Sequence, residues 1–97
     1  MVVEEKHEAR IEWAGISIEV TFTRNWLNGT AHHLELRADE PLSVTATGYR
    51  SHFFPAQAEM EFDFVLHWVT AWLDQAANSK EWQEHVKRQR QGDLFDL

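Results

Sequence analysis

The densest run of reactive side chains is Thr45-Ala46-Thr47-Gly48-Tyr49-Arg50-Ser51-His52-Phe53. Tyr49, Arg50, Ser51 and His52 place a phenol, a guanidinium, a hydroxyl and an imidazole in succession, a set able to meet an anion, a carboxylate or a partner's backbone. Gly48 permits a sharp turn before them. Ser51 and His52 have the types of a nucleophile and its base. Adjacent residues rarely point at one another, however, and no third group stands out to orient the histidine. The expectation is therefore structural: Arg50 paired with a carboxylate on a helix, and Tyr49 and Phe53 packed in the core.

A second grouping is Asp63 and His67, four apart, which with Glu59 or with His32 and His33 offers donors for a metal ion. The same spacing describes a solvated helix face, and six histidines without a recognisable ligand motif give no site. No metal and no cofactor is expected. Cysteine is absent, which excludes thiolate nucleophiles, disulfides and cysteine-based zinc sites. The five tryptophans, Trp13, Trp26, Trp68, Trp72 and Trp82, are expected in the core. Trp68 and Trp72, one helical turn apart, would also suit an interface.

These groups need elements to hold them. Ala9, Ile11 and Trp13 alternate with Arg10 and Glu12 at the two-residue period of a half-buried strand. After Ala14-Gly15 the alternation resumes through Ile16, Ile18, Val20 and Phe22, which predicts a tight hairpin. Arg24 to Thr30 reads as a turn. A third strand follows with His32, Leu34, Leu36 and Ala38 on one side, and Leu42, Val44 and Ala46 repeat the pattern for a fourth. The Tyr49 segment would then connect that strand to a helix.

From 58 to 77 there is neither Gly nor Pro, and Glu59, Asp63, His67, Thr70 and Asp74 fall on one stripe of a helix. The remainder is so apolar that it calls for a second covering surface, by another helix or by a homodimer through the segment 58–77. Asn78 or Ser79 caps a second helix, expected to end at Gly92. The predicted fold class is α+β: a four-stranded antiparallel meander followed by two helices on one face, ββββαα. Residues 1–91 make a single domain and 92–97 a flexible tail.

The 97 residues carry a formal net charge of −7, which argues against direct binding to nucleic acid. Neither a secretory signal nor a membrane-spanning run is apparent, and a cytoplasmic protein is expected.

The tail Gln91-Gly92-Asp93-Leu94-Phe95-Asp96-Leu97 combines apolar and acidic residues. Its first five residues resemble the peptides by which bacterial replication and repair proteins dock on the DNA sliding clamp. The resemblance implies polar contacts by Gln91, backbone positioning by Asp93, and apolar anchoring by Leu94 and Phe95, with Leu97 a further apolar contact. Gly92 departs from the pattern, where Leu is commoner. The segment Thr47 to Phe53, with Asn25-Trp26-Leu27 and His33 to Arg37, resembles small uncharacterised bacterial proteins of plasmids and other mobile elements, which bring no established activity.

Together these readings make the chain a non-enzymatic adaptor docked on the clamp. Next stands an acidic anti-defence or regulatory protein of a mobile element, such as an inhibitor of the anti-CRISPR kind, covering the basic surface of a nucleic-acid enzyme. A small hydrolase or metal enzyme around His52 and Asp63 comes last.

Overall fold

The structure is a computed structural model that describes the backbone of residues 3–95 and the side chains of residues 3–89. β1 (Glu5–Trp13) and β2 (Ile16–Asn25) form the expected hairpin around Ala14-Gly15, both of which take positive φ. A four-residue turn, α1 (Trp26–Gly29), leads into β3 (Ala31–Arg37), and β4 (Tyr49–Pro55) completes a sheet in the order β1-β2-β3-β4. All three pairings are antiparallel. α2 (Phe62–Ala76) and α3 (Lys80–Phe95) follow, so the chain is an α+β protein of the order ββββαα.

The fourth strand is not Leu42 to Ala46. Leu42 and Thr45 bridge each other in a tight turn, and Leu42 is buried there. The strand is the Tyr49 segment itself, which is therefore part of the sheet and not a connector. Gly48 makes the switch possible: its φ is +84°, and its carbonyl accepts the Ala38 N–H at 2.8 Å, bringing β4 alongside β3. Further differences lie at the helix ends. α2 starts at Phe62 and not at 58, and α3 continues past Gly92 to Phe95.

Strand alternation sorts the sheet into two faces. Ile18, Val20, Phe22, Leu34 and Leu36 are fully buried on one of them, against Val65, Val69 and Leu73 of α2. Each such side chain contributes about 1.5 to 3 kcal/mol on burial. Asp74 accepts the Trp13 indole N–H at 2.8 Å, and the Ser43 hydroxyl donates to the Leu73 carbonyl at 2.7 Å. These two bonds fix the C-terminal end of α2 to β1 and to the turn between β3 and β4. α3 meets the core through Trp82, whose ring lies 5.5 Å from that of Trp13. The polar stripe of Glu59, Asp63, His67, Thr70 and Asp74 is exposed, as the periodicity predicts.

Candidate functional site

The other face of the sheet is not covered by either helix, and the register sets its side chains in a grid. Arg10, Glu19, Arg37 and Tyr49 lie in one cross-strand row; Glu8, Thr21, Glu35 and Ser51 lie in the next. A third row holds Lys6, Thr23, His33 and Phe53. Facing positions in neighbouring strands are close enough for direct side-chain pairing.

The four residues of the sequence cluster are split by this geometry. Tyr49 and Ser51 point to the open face; Arg50 and His52, one position out of phase, lie on the helix side. Tyr49 (42% exposed) and Phe53 (49% exposed) are thus surface residues and not core. Arg50 does not pair with a helix carboxylate: its guanidinium lies 5.4 Å from the centre of the Trp72 ring, a cation–π contact. His52 sits among Phe54, Trp68 and Trp72, with ring centres 4.8 to 5.4 Å away. Burial, and then the Arg50 charge, hold its pKa below the ordinary value.

Ser51 finds a different histidine. Its Oγ lies 2.6 Å from His33 Nε2, and Glu35 Oε1 lies 3.6 Å from His33 Nδ1. Glu35 Oε2 in turn accepts from Arg37 Nη2 at 3.0 Å and from the Tyr49 hydroxyl at 3.2 Å. Burial works to raise the Glu35 pKa. The hydrogen bonds from Arg37 and Tyr49, with the charges of His33 and Arg37, outweigh it and hold the carboxyl below its ordinary value. The His33 ring is stacked on Phe53, 4.6 Å away at 14°, and tilted against Trp26 at 5.4 Å. Beside this cluster the α1 turn carries Leu27 at φ +51° and 58% exposed, a backbone state that a branched side chain rarely adopts.

His32, next in sequence to His33, is on the buried face. Its Nδ1 accepts the Asn25 N–H at 3.1 Å, which leaves Nε2 to donate to the Ala58 carbonyl at 2.9 Å. It is a structural clamp between the α1 turn and the loop before α2. His32 and His33 therefore cannot join one ion with Asp63, and among the described residues no three His, Asp or Glu side chains form a metal-binding group. Among the described residues no helix is long and apolar enough to cross a membrane.

The side chains of Gln91, Asp93, Leu94 and Phe95, and all of Leu97, lie outside the described residues; the backbone of α3 is helical through Phe95. The sequence gives no local sign of the pairing of Ser51 with His33, which stand 18 positions apart. Reading Tyr49 to Phe53 as a strand opposite β3 would have brought the two together, since Ser51 and His33 are then diagonal neighbours on one face.

The family model described as KlcB third domain matches residues 6–82, from β1 into the first turn of α3. The chain belongs to the KlcB third domain family. The matched span contains the whole open-face cluster, and the Gln91 to Phe95 run lies beyond it. Neither the curated proteins nor the solved structures contain a match to the chain.

Proposed function

We propose that this KlcB third domain protein is a plasmid accessory factor that acts by docking: its C-terminal run engages the bacterial sliding clamp, and the folded domain is the cargo delivered there. The supporting observation is where the run is carried. α3 is fastened to the core by Trp82, near its start, whereas Gln91 to Phe95 occupy its far end. At 1.5 Å per residue, the thirteen steps from Trp82 to Phe95 span about 20 Å. A partner can therefore take hold of the run without disturbing the sheet or α2.

Leu94 and Phe95 supply the apolar anchors of the interaction, and Gln91 its polar edge. With Gly92 offering no side chain, affinity is expected in the micromolar range, about −8 kcal/mol. Titrating the labelled protein against purified clamp, with and without residues 91–97, tests this. Binding that is lost on truncation and with Phe95→Ala supports the proposal. An intact chain with no affinity for the clamp overturns it.

A further inference from the structure

The open face carries an arrangement that docking does not use. We propose that Ser51 is a nucleophile toward activated carboxylic esters, with His33 as its general base and Glu35 as the residue that positions His33.

Three features of the geometry support the assignment. The Ser51 hydroxyl is within direct proton-transfer distance of His33, with 2.6 Å between Oγ and Nε2. The Glu35 carboxylate faces the opposite ring nitrogen at 3.6 Å, which favours hydrogen on Nδ1 and leaves the Nε2 lone pair to receive the serine proton. The carboxylate itself is held by Arg37 and Tyr49, and the imidazole by the rings of Phe53 and Trp26. The base and its positioning residue are thus each oriented by neighbours outside the relay, the support a preorganised site requires.

In the reaction, Ser51 Oγ attacks the ester carbonyl carbon as its proton passes to His33 Nε2. The bond to the leaving oxygen breaks, and that oxygen departs as an alcohol with the proton from His33. Water then attacks the acyl-serine, giving a proton to His33, and the carboxylic acid leaves as that proton returns to Ser51 Oγ. The sum is ester plus water to acid plus alcohol.

The substrate class follows from what surrounds Ser51. An ester with a good leaving group, such as an aryl ester, asks least of the site for stabilising the developing oxyanion, whereas amides and alkyl esters depend on a donor aimed at it, worth about 10² to 10³ in rate. The exposed rings of Tyr49 and Phe53, on either side of Ser51 along β4, give an aryl group a surface to lie on.

The test uses the full chain with a fluorophosphonate probe and with p-nitrophenyl acetate, followed by peptide mapping of the labelled residue. The expected result is label on Ser51, absent in Ser51→Ala and slowed about a hundredfold in His33→Gln. Glu35→Gln should slow acylation, and Glu35→Asp, which keeps a carboxylate, should recover part of the rate. A purely structural Glu35 would leave acylation at the wild-type rate in every folded variant. Thermal melting identifies a variant that has not folded; for such a variant the pH profile of wild-type labelling takes its place, and it must rise through one deprotonation. Label confined to other residues, equal labelling of Ser51 without His33, or a flat profile overturns the proposal.

Discussion

Burial holds the His52 imidazole below its ordinary pKa, and the Arg50 guanidinium acts in the same direction. A folded-state pKa below that of the unfolded chain means that the unfolded chain binds the proton first. The stability contributed by neutral His52 is therefore present above the unfolded value, near 6.5, and is lost as pH falls through the lower folded value. The melting temperature should decline on acidification from about pH 7, and less so in His52→Phe, which keeps a ring among Phe54, Trp68 and Trp72. Parallel melting curves for the two proteins across that range would show that His52 is not the responsible group. Glu35 has the same sign in a lower window. Its depressed carboxyl contributes stability above the ordinary carboxylate range, lost as pH falls through the folded value. Tyr49→Phe removes one of its donors, so a carbon-detected titration should find the Glu35 pKa raised toward the ordinary value. An unmoved titration would mean that the Tyr49 bond is not made in solution.

The placement of β4 depends on Gly48 more than on any residue in the strand itself. A Cβ there would lie 2.5 Å from the Ala38 carbonyl oxygen and 2.9 Å from that of Glu40, at a φ that L residues rarely take. Both obstacles are backbone, so they cannot swing aside. Gly48→Ala should destabilise the fold by about 3 kcal/mol or more and lower the melting temperature by about 10 °C or more. A melting temperature within about 2 °C of wild type would show that the turn relaxes freely. The same element marks where the sequence stops being readable. The β1–β2 hairpin follows from local alternation around Ala14-Gly15, and the exposed stripe of α2 from the 3.6-residue period. β4 does not follow, because the face of Arg50, His52 and Phe54 is not apolar in sequence. It becomes a core-facing strand only when Trp68 and Trp72, on a helix distant in sequence, supply the aromatic partners. Leu42, Val44 and Ala46 alternate more regularly but close on themselves in a turn. The sequence offers Ser51 only its neighbour His52, which strand alternation turns to the other face, whereas the pairing with His33 depends on a cross-strand register that no local pattern contains.

At the scale of the whole molecule, the charge of −7 bears on two modes of docking, through an apolar run or through an acidic surface. On the open face the acids are interleaved with cations: Lys6 pairs with Glu8 at 3.5 Å, Arg10 with Glu19 at 2.8 Å and Arg37 with Glu35 at 3.0 Å. Exposed pairs of this kind contribute little to stability, yet they neutralise the field above the sheet. The face so formed is a poor mimic of a phosphate backbone, which needs uncompensated negative charge. An inhibitor working by acidic cover would have to use other elements, such as the exposed Glu59, Glu61 and Asp63 before and at the start of α2. Binding of that sort weakens steeply as salt shortens the screening length from about 8 Å near 0.15 M to about 3 Å at 1 M. Docking through Leu94 and Phe95, as proposed, would bury apolar surface and would be far less sensitive to salt. The proposed clamp complex should therefore keep its affinity within about threefold between about 0.15 M and 1 M salt, as read by fluorescence anisotropy, and charge reversal at Glu59 and Glu61 should leave it unchanged. A loss of tenfold or more over that range, abolished by the charge reversals, would move the contact from the end of α3 to the acidic surface of the domain.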